Sequence, residues 1–166
     1  LPDYDYYFEK IPVSVVLTTQ KITDILQRTK PALPYPPNEN FYYDSPGFDL
    51  AAAVVERVSG KTYQQFLDSV FFRPLQMTNA FVRPARLASW PGKRTKGYRF
   101  QNDRLQPYDI ADREGFYGGS NVWFSATELY QWGTSFYHKP LLSAAMMKKL
   151  TSAVLINGKP SAVRLG

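Results

Sequence analysis

FYYDSPGFDLAAAVVERVSGKTYQQFLDSVFFRPLQM, residues 41–77, holds a tyrosine-rich turn, a helix with start and stop signals, a tight break and a second helix. Ser45 stands at the N-cap position, Pro46 at N1 where its missing N–H costs nothing, and Gly60 at C′. Between them Phe48, Leu50, Ala51, Ala52, Ala53, Val54, Val55 and Val58 are apolar nearly all round, which predicts a helix buried on most sides. Thr62 caps a second helix, with Tyr63, Phe66, Leu67, Val70 and Phe71 forming an i, i+3, i+4, i+7, i+8 stripe. Pro74 ends it.

Outward from this stretch the pattern weakens. Residues 1–17, aromatic and acidic and then apolar from Ile11 to Leu17 with Pro12 inside, read as extended or irregular. Thr18 or Thr19 caps a helix through about Thr29, with Ile22, Ile25 and Leu26 on one face. Pro31, Pro34, Pro36 and Pro37 then forbid regular structure, so a rigid loop delivers Phe41-Tyr42-Tyr43. Tyr98-Arg99-Phe100, the turn residues Asn102-Asp103 and a return from Leu105 predict a hairpin, and a polar, glycine-ended loop runs from Asp109 to Gly119. Ser125 with Glu128 forms a capping box that opens a helix through about Tyr137. Ser143 caps a last helix that turns Met146, Met147 and Leu150 toward the core, and a strand is expected between Leu155 and Leu165, around Asn157-Gly158. The fold class is α+β, mostly helical with a β-hairpin. At 166 residues the chain is the size of one domain, divided into a helical part (1–80), a loop and hairpin (81–124) and C-terminal helices (125–166).

Composition excludes several mechanisms. No apolar run is long enough to span a bilayer. The opening LPDYDYYFEK shows no targeting signal, and with the final Arg-Leu-Gly it looks cut from something longer. The net charge of +6 invites a polyanion, yet the basic residues are scattered apart from PGKRTKGYR at 91–99, which reads as an approach to the hairpin. The better reading is a solvated basic surface or a face toward an anionic cell envelope; no nucleic acid is expected. Zero Cys removes disulfides, thiolate nucleophiles and Cys-ligated zinc, and a single histidine, His138, cannot build a His-rich metal site. His138 falls before Lys139-Pro140 where a helix should end; a Ser-His-Asp triad through it has no supporting motif. No metal or cofactor is expected, and proton transfer falls to Tyr, Lys or a carboxylate.

Ser59-Gly60-Lys61-Thr62 is not a phosphate loop, because Val55 stands where that motif requires Gly and a helix precedes it instead of a strand. Tyr43 on its turn has two readings. It is one of 12 tyrosines and packs, or it carries a proton, because a helix N-terminus and a nearby Lys both favour a phenolate.

Residues 41–77 resemble the F-x-Y-S-N-x-G-Y…E-x-x-S-G…F…P-L-G-M segment of the serine β-lactamase and penicillin-binding-protein-like hydrolases, which include class C β-lactamases, DD-peptidases and related esterases. Leu1-Pro2-Asp3-Tyr4 resembles the LPDY that follows that family's H-T-S-G, and Gly97-Tyr98 the G-Y of its hairpin. Gly118-Gly119-Ser120-Asn121 through Ser125, Glu128-Leu129 and Trp132 is similar to its G-x-G-G…S-T…D-L…W. The resemblance implies the β-lactamase/transpeptidase-like fold and acyl transfer. In that mechanism a Ser nucleophile, paired with Lys on an S-x-x-K helix, attacks an amide or ester carbonyl, and water releases the acyl-enzyme. It makes Tyr43 the proton carrier and places Ser45, Ser120 and Asn121 at the substrate. Ser45 stands where the family has Asn, Gln76 replaces the Gly of P-L-G-M, and Ser120-Asn121 replaces a glycine pair. No Ser has Lys three positions on, and K-T-G, K-S-G and H-x-G are absent. The expectation is an internal fragment of a serine hydrolase, exported or periplasmic, inactive alone and completed by the remainder of the same domain. Its substrate would be a β-lactam, a D-amino-acid peptide or an ester. The alternative is a non-catalytic module that binds peptidoglycan or another envelope polymer.

Overall fold

The structure is a computed structural model and describes residues 1–138 and 141–164. The chain opens with a short helix, α1 (Tyr4–Phe8), capped by the Asp3 carboxylate, which accepts from the Tyr4 N–H at 2.7 Å. This corrects the extended or irregular reading of 1–17 at residues 4–8, while residues 9–16 contain no helix or strand, as read. Tyr7 is fully buried with Leu17, Ile22, Ile25 and Phe116, and Tyr4 stacks on Phe116 at 4.1 Å between ring centres. That packing, which no local pattern announces, overrides the weak helix propensity of an aromatic run.

Strand β1 (Leu17–Thr18) leads into α2 (Thr19–Thr29), where the Thr18 side chain accepts from the Lys21 N–H. Residues 30–45 contain no helix or strand, as their prolines require. Helix α3 (Pro46–Ser59) ends at Gly60, whose φ of 66° is the left-handed cap expected of it. Its start differs from expectation. Ser45 is already helical (φ −73°, ψ −38°) and its side chain caps nothing, whereas Asp44 Oδ1 accepts from the Gly47 N–H at 2.6 Å. Asp44 is therefore the cap and Ser45 the first residue of the turn. The predicted burial is also corrected: Pro46, Asp49 and Ala52 are buried, but Val54 is 60% and Val58 82% exposed. Helix α3 turns the Asp49–Ala52 side inward, and no described element covers Val58.

Thr62 and Gln65 form a reciprocal capping box that opens α4 (Tyr63–Leu67), which widens into a π-helical turn over Asp68–Phe72, closed by Arg73 N–H donating to Asp68 O. Leu67, Phe72, Leu75, Met77, Ala80 and Val82 then form a second core cluster. The remaining strands are β2 (Phe81–Val82), β3 (Tyr98–Gln101), β4 (Arg104–Pro107), β5 (Glu114–Gly115) and β6 (Val122–Trp123). β1 pairs in parallel with β5, β2 antiparallel with β6, and β3–β4 is the predicted hairpin. Its turn places Asn102 (φ 52°) and Asp103 (φ 57°) both left-handed, the geometry that matches strand twist. Ser125 and Glu128 open α5 (Ala126–His138) by the expected capping box; Lys139 and Pro140 lie outside the described residues.

Ser143 caps α6 (Ala144–Thr151). Met147 and Leu150 face an apolar hollow with Phe71 and Trp132, but Met146 is exposed, correcting its placement in the core, because it lies about 100° round the helix from Met147. β7 (Ala153–Ile156) and β8 (Lys159–Arg164) form a hairpin around Asn157-Gly158, and Leu165, the expected limit of that strand region, lies outside the described residues. The fold is α+β and mostly helical, as its patterning predicts. Because Asp44 and not Ser45 caps α3, Asp44→Ala should cost about 1 kcal/mol in urea unfolding and Ser45→Ala only a few tenths.

Candidate active-site wall

The first turn of α3 gathers the residues singled out by the sequence. Tyr43 stands just before it, 64% exposed, its ring tilted against Phe48 at 6.4 Å between centres. Ser45 is half-buried in the turn itself. The segment Gly118–Asn121 lies directly against the same turn: a Cβ added to Gly119 would sit 2.7 Å from Ser45 O, and one added to Gly118 2.4 Å from Phe48 O. Gly118 also has a φ of 121°, so backbone and space both require glycine there. Ser45 and the segment that carries Ser120 thus pack against each other, with Tyr43 and Ser120 both exposed.

Asn121 serves the loop. Its Nδ2 donates to Phe116 O at 2.9 Å, its carbonyl accepts from the Arg83 N–H, and its φ of 67° is one that Asn tolerates better than most side chains. That backbone explains why Asn can replace a glycine there.

The group that fixes the loop on the helix is Asp49, which no motif in the sequence marks. It is fully buried; Oδ1 accepts from the Gly119 N–H at 2.9 Å and Oδ2 from the Tyr4 hydroxyl at 2.9 Å. Burial raises the carboxyl pKa against the opposing effect of those two bonds, and the neighbouring Asp44 raises it further. Burial and the Asp49 carboxylate in turn push the Tyr4 phenol far above its ordinary value. An acid within the apolar first half of the helix, one turn past the tyrosine turn, was the available clue.

Two more contacts hold the segment from behind. The Tyr117 N–H donates to Thr19 Oγ1, which donates to Tyr117 O, and the Tyr117 hydroxyl donates to Glu56 Oε1 at 2.8 Å. Arg83, nearly fully buried, donates to the Ala111 and Glu114 carbonyls and pins the approach to the loop; burial lowers its pKa. Among the described residues no group of three or more His, Asp or Glu is placed to hold a metal ion. Among them, too, no helix is long and apolar enough to cross a membrane.

The α+β scaffold is shared with solved penicillin-binding-protein homologues and an amidase. The octameric penicillin-binding protein homologue from Pyrococcus abyssi superposes with a TM-score of 0.67 at 20% identity, over 86% of this chain and 31% of that one. D-amino acid amidase from Ochrobactrum anthropi SV3 superposes with a TM-score of 0.67 at 18% identity, over 93% and 46%. The chain belongs to the beta-lactamase family, whose model matches residues 1–164. It is 24% identical over 171 residues to penicillin-binding protein 4* of Bacillus subtilis, covering 95% of this chain and 37% of that protein. It is 26% identical over 110 residues to a putative penicillin-binding protein of the same organism, covering 65% and 27%. The chain thus spans less than half the length of these relatives.

Asp49 supplies a test of the wall. Because its folded pKa is raised, its contribution to stability is fully present below the unfolded carboxyl value near 4 and is lost as pH rises through the folded value. Asp49→Asn keeps an acceptor for the Gly119 N–H but turns an amide N–H toward Tyr4, whose hydroxyl must then accept instead of donate; with no carboxyl to titrate, it should flatten the decline in melting temperature as pH rises above about 4. Asp49→Leu should lower stability by about 2–4 kcal/mol at all pH values, having stranded both donors. Gly118→Ala should cost about 3 kcal/mol or more, measured by urea unfolding, through clash with the α3 backbone.

Proposed function

We propose that residues 41–45 and 118–121 form one wall of the acyl-transfer site of a serine hydrolase. In this reading Tyr43 carries the proton and Ser45 and Ser120 meet the substrate. Asn121 contributes to the same wall through its backbone position. The observation that carries the reading is the placement of Tyr43 at the mouth of α3, exposed, with the glycine loop docked on the same turn. An exposed phenol beside a helix N-terminus can pass a proton to or from a reacting group without first breaking a structural bond. By contrast, the buried phenols of Tyr4 and Tyr117 already donate to Asp49 and Glu56.

The nucleophile and the oxyanion strand would come from segments outside these 166 residues, as no S-x-x-K, K-T-G or H-x-G occurs within them. The substrate class would be an amide or ester carbonyl: a β-lactam, a D-amino-acid peptide or a simple ester. The likeness to penicillin-binding proteins supports a place in the cell envelope. Ser45 departs from the amide side chain that the family pattern has at this position. A hydroxyl reaches less far, so Ser45 would favour a bridging water or a substrate that approaches closely.

The whole protein should hydrolyse p-nitrophenyl esters or a chromogenic β-lactam, and Tyr43→Phe should lower kcat/KM by about 10²–10⁴-fold with an unchanged melting temperature. The purified 166-residue chain should show no turnover. Turnover by that chain which vanished in Tyr43→Phe would sink the split-site reading, and full activity of Tyr43→Phe in the whole protein would remove Tyr43 from the mechanism.

A further inference from the structure

The β3–β4 hairpin offers a second surface, with a chemistry unlike that of the wall. Cross-strand pairing sets Tyr98 opposite Pro107 and Phe100 opposite Leu105, so these side chains share one face of the ribbon. Tyr98 is 57% exposed, and Phe100 and Leu105 are each 70% exposed. The opposite face carries Arg99 opposite Gln106, and Gln101 opposite Arg104. From Lys93 to Arg104 the sequence holds five Lys or Arg against one acid, Asp103. Among the described residues neither Lys93, Lys96 nor Arg104 forms an ion pair.

The hairpin is also held at its base. Arg94 makes two bonds to Asp109, at 2.8 and 2.6 Å, while lying over the Trp90 ring, and the Tyr108 N–H donates to Gly97 O at 2.9 Å. Arg99 lies over the Tyr108 ring at 5.0 Å, on the ribbon's polar face. The ribbon therefore presents its apolar side chains from a fixed base.

We propose that this hairpin docks on an anionic lipid surface. The Tyr98–Phe100–Leu105 face enters the headgroup region, and Lys96, Arg99 and Arg104 meet the lipid phosphates. Aromatic side chains beside Lys and Arg are the composition of a membrane interface, where ring and charge are both accommodated. A soluble polyanion would engage the charges and leave Phe100 and Leu105 in water. An apolar protein patch would bury those two and make no use of the cations on the other face. An anionic bilayer matches both features, each exposed cation adding about fivefold to partitioning.

The test uses the whole protein, co-sedimented with vesicles of phosphatidylglycerol mixed with phosphatidylcholine and with vesicles of phosphatidylcholine alone. The protein should sediment with the first and not the second, and the fraction bound should fall as salt rises. Phe100→Ser/Leu105→Ser and Lys96→Gln/Arg104→Gln should each weaken binding by about tenfold or more, with circular dichroism unchanged. Val58→Ser, an exposed apolar position on α3, should bind as the parent does, and Phe100→Trp should give a blue-shifted indole emission on the anionic vesicles. Three results overturn the proposal: no sedimentation with phosphatidylglycerol vesicles; binding lost in Lys96→Gln/Arg104→Gln but kept in Phe100→Ser/Leu105→Ser, which marks a polyanion site; or self-association through the same face without vesicle binding.

Discussion

A single buried carboxylate sets the spacing of the parts that matter. Asp49 reaches back 45 residues to the Tyr4 hydroxyl and forward 70 residues to the Gly119 N–H. A buried acid is tolerated only when its oxygens are satisfied, so α1, α3 and the glycine loop must meet at one point. That meeting constrains the neighbours. The loop comes so close that side chains at 118 and 119 would strike the α3 backbone, and Thr19 and Glu56 must then receive Tyr117 from the other side. Without Asp49 the tyrosine turn would still open a helix, but the Gly119 end of the loop would lose its hydrogen bond to that helix and only Tyr117 would tie the segment to it, through Glu56.

Local chemistry made much of this fold readable. Thr18, Thr62, Ser125 and Ser143 each announce a helix start because a cap is a bond between a side chain and a backbone N–H a few residues away. Gly60 and Asn102-Asp103 are legible for the same reason, since a left-handed backbone narrows the choice of residue. What escaped was long-range or ambiguous. Helix α1 exists because Tyr7 finds Leu17, Ile22 and Phe116, and the two-residue strands β1, β2, β5 and β6 are too short for alternation to show. Asp44 and Ser45 are both competent caps in adjacent positions, and only the backbone reveals which frame the chain takes. An apolar helix does not say which of its faces meets a neighbour, and so the exposure of Val58 could not be anticipated.

The proposed wall rests on motif and not on pattern. Periodicity alone gives Tyr43 no distinction among the tyrosines; its place in a family-like sequence does. The family pattern also brought Gly118–Asn121 into view, and the structure supplies the physical reason for those glycines. Asp49 stayed hidden because a lone acid in a helix is usually solvated, and its partners lie far away in sequence.

The π-helical turn at Asp68–Phe72 has a consequence for how this region tolerates change. Such a turn holds one residue more than an α-helix would over the same rise. It allows Phe72 to enter the core that Leu67 already occupies while leaving Leu75 and Met77 placed to join it. Loss of one residue from 68–72 would relax the turn to ordinary helix over nearly the same rise, so the chain would leave it close to its present direction and Leu75 and Met77 would keep their places in the core. A further residue would find no such slack, and would turn the chain beyond Phe72 through about 100°. The segment therefore tolerates the loss of one residue better than the gain of one, an asymmetry that no single contact reveals.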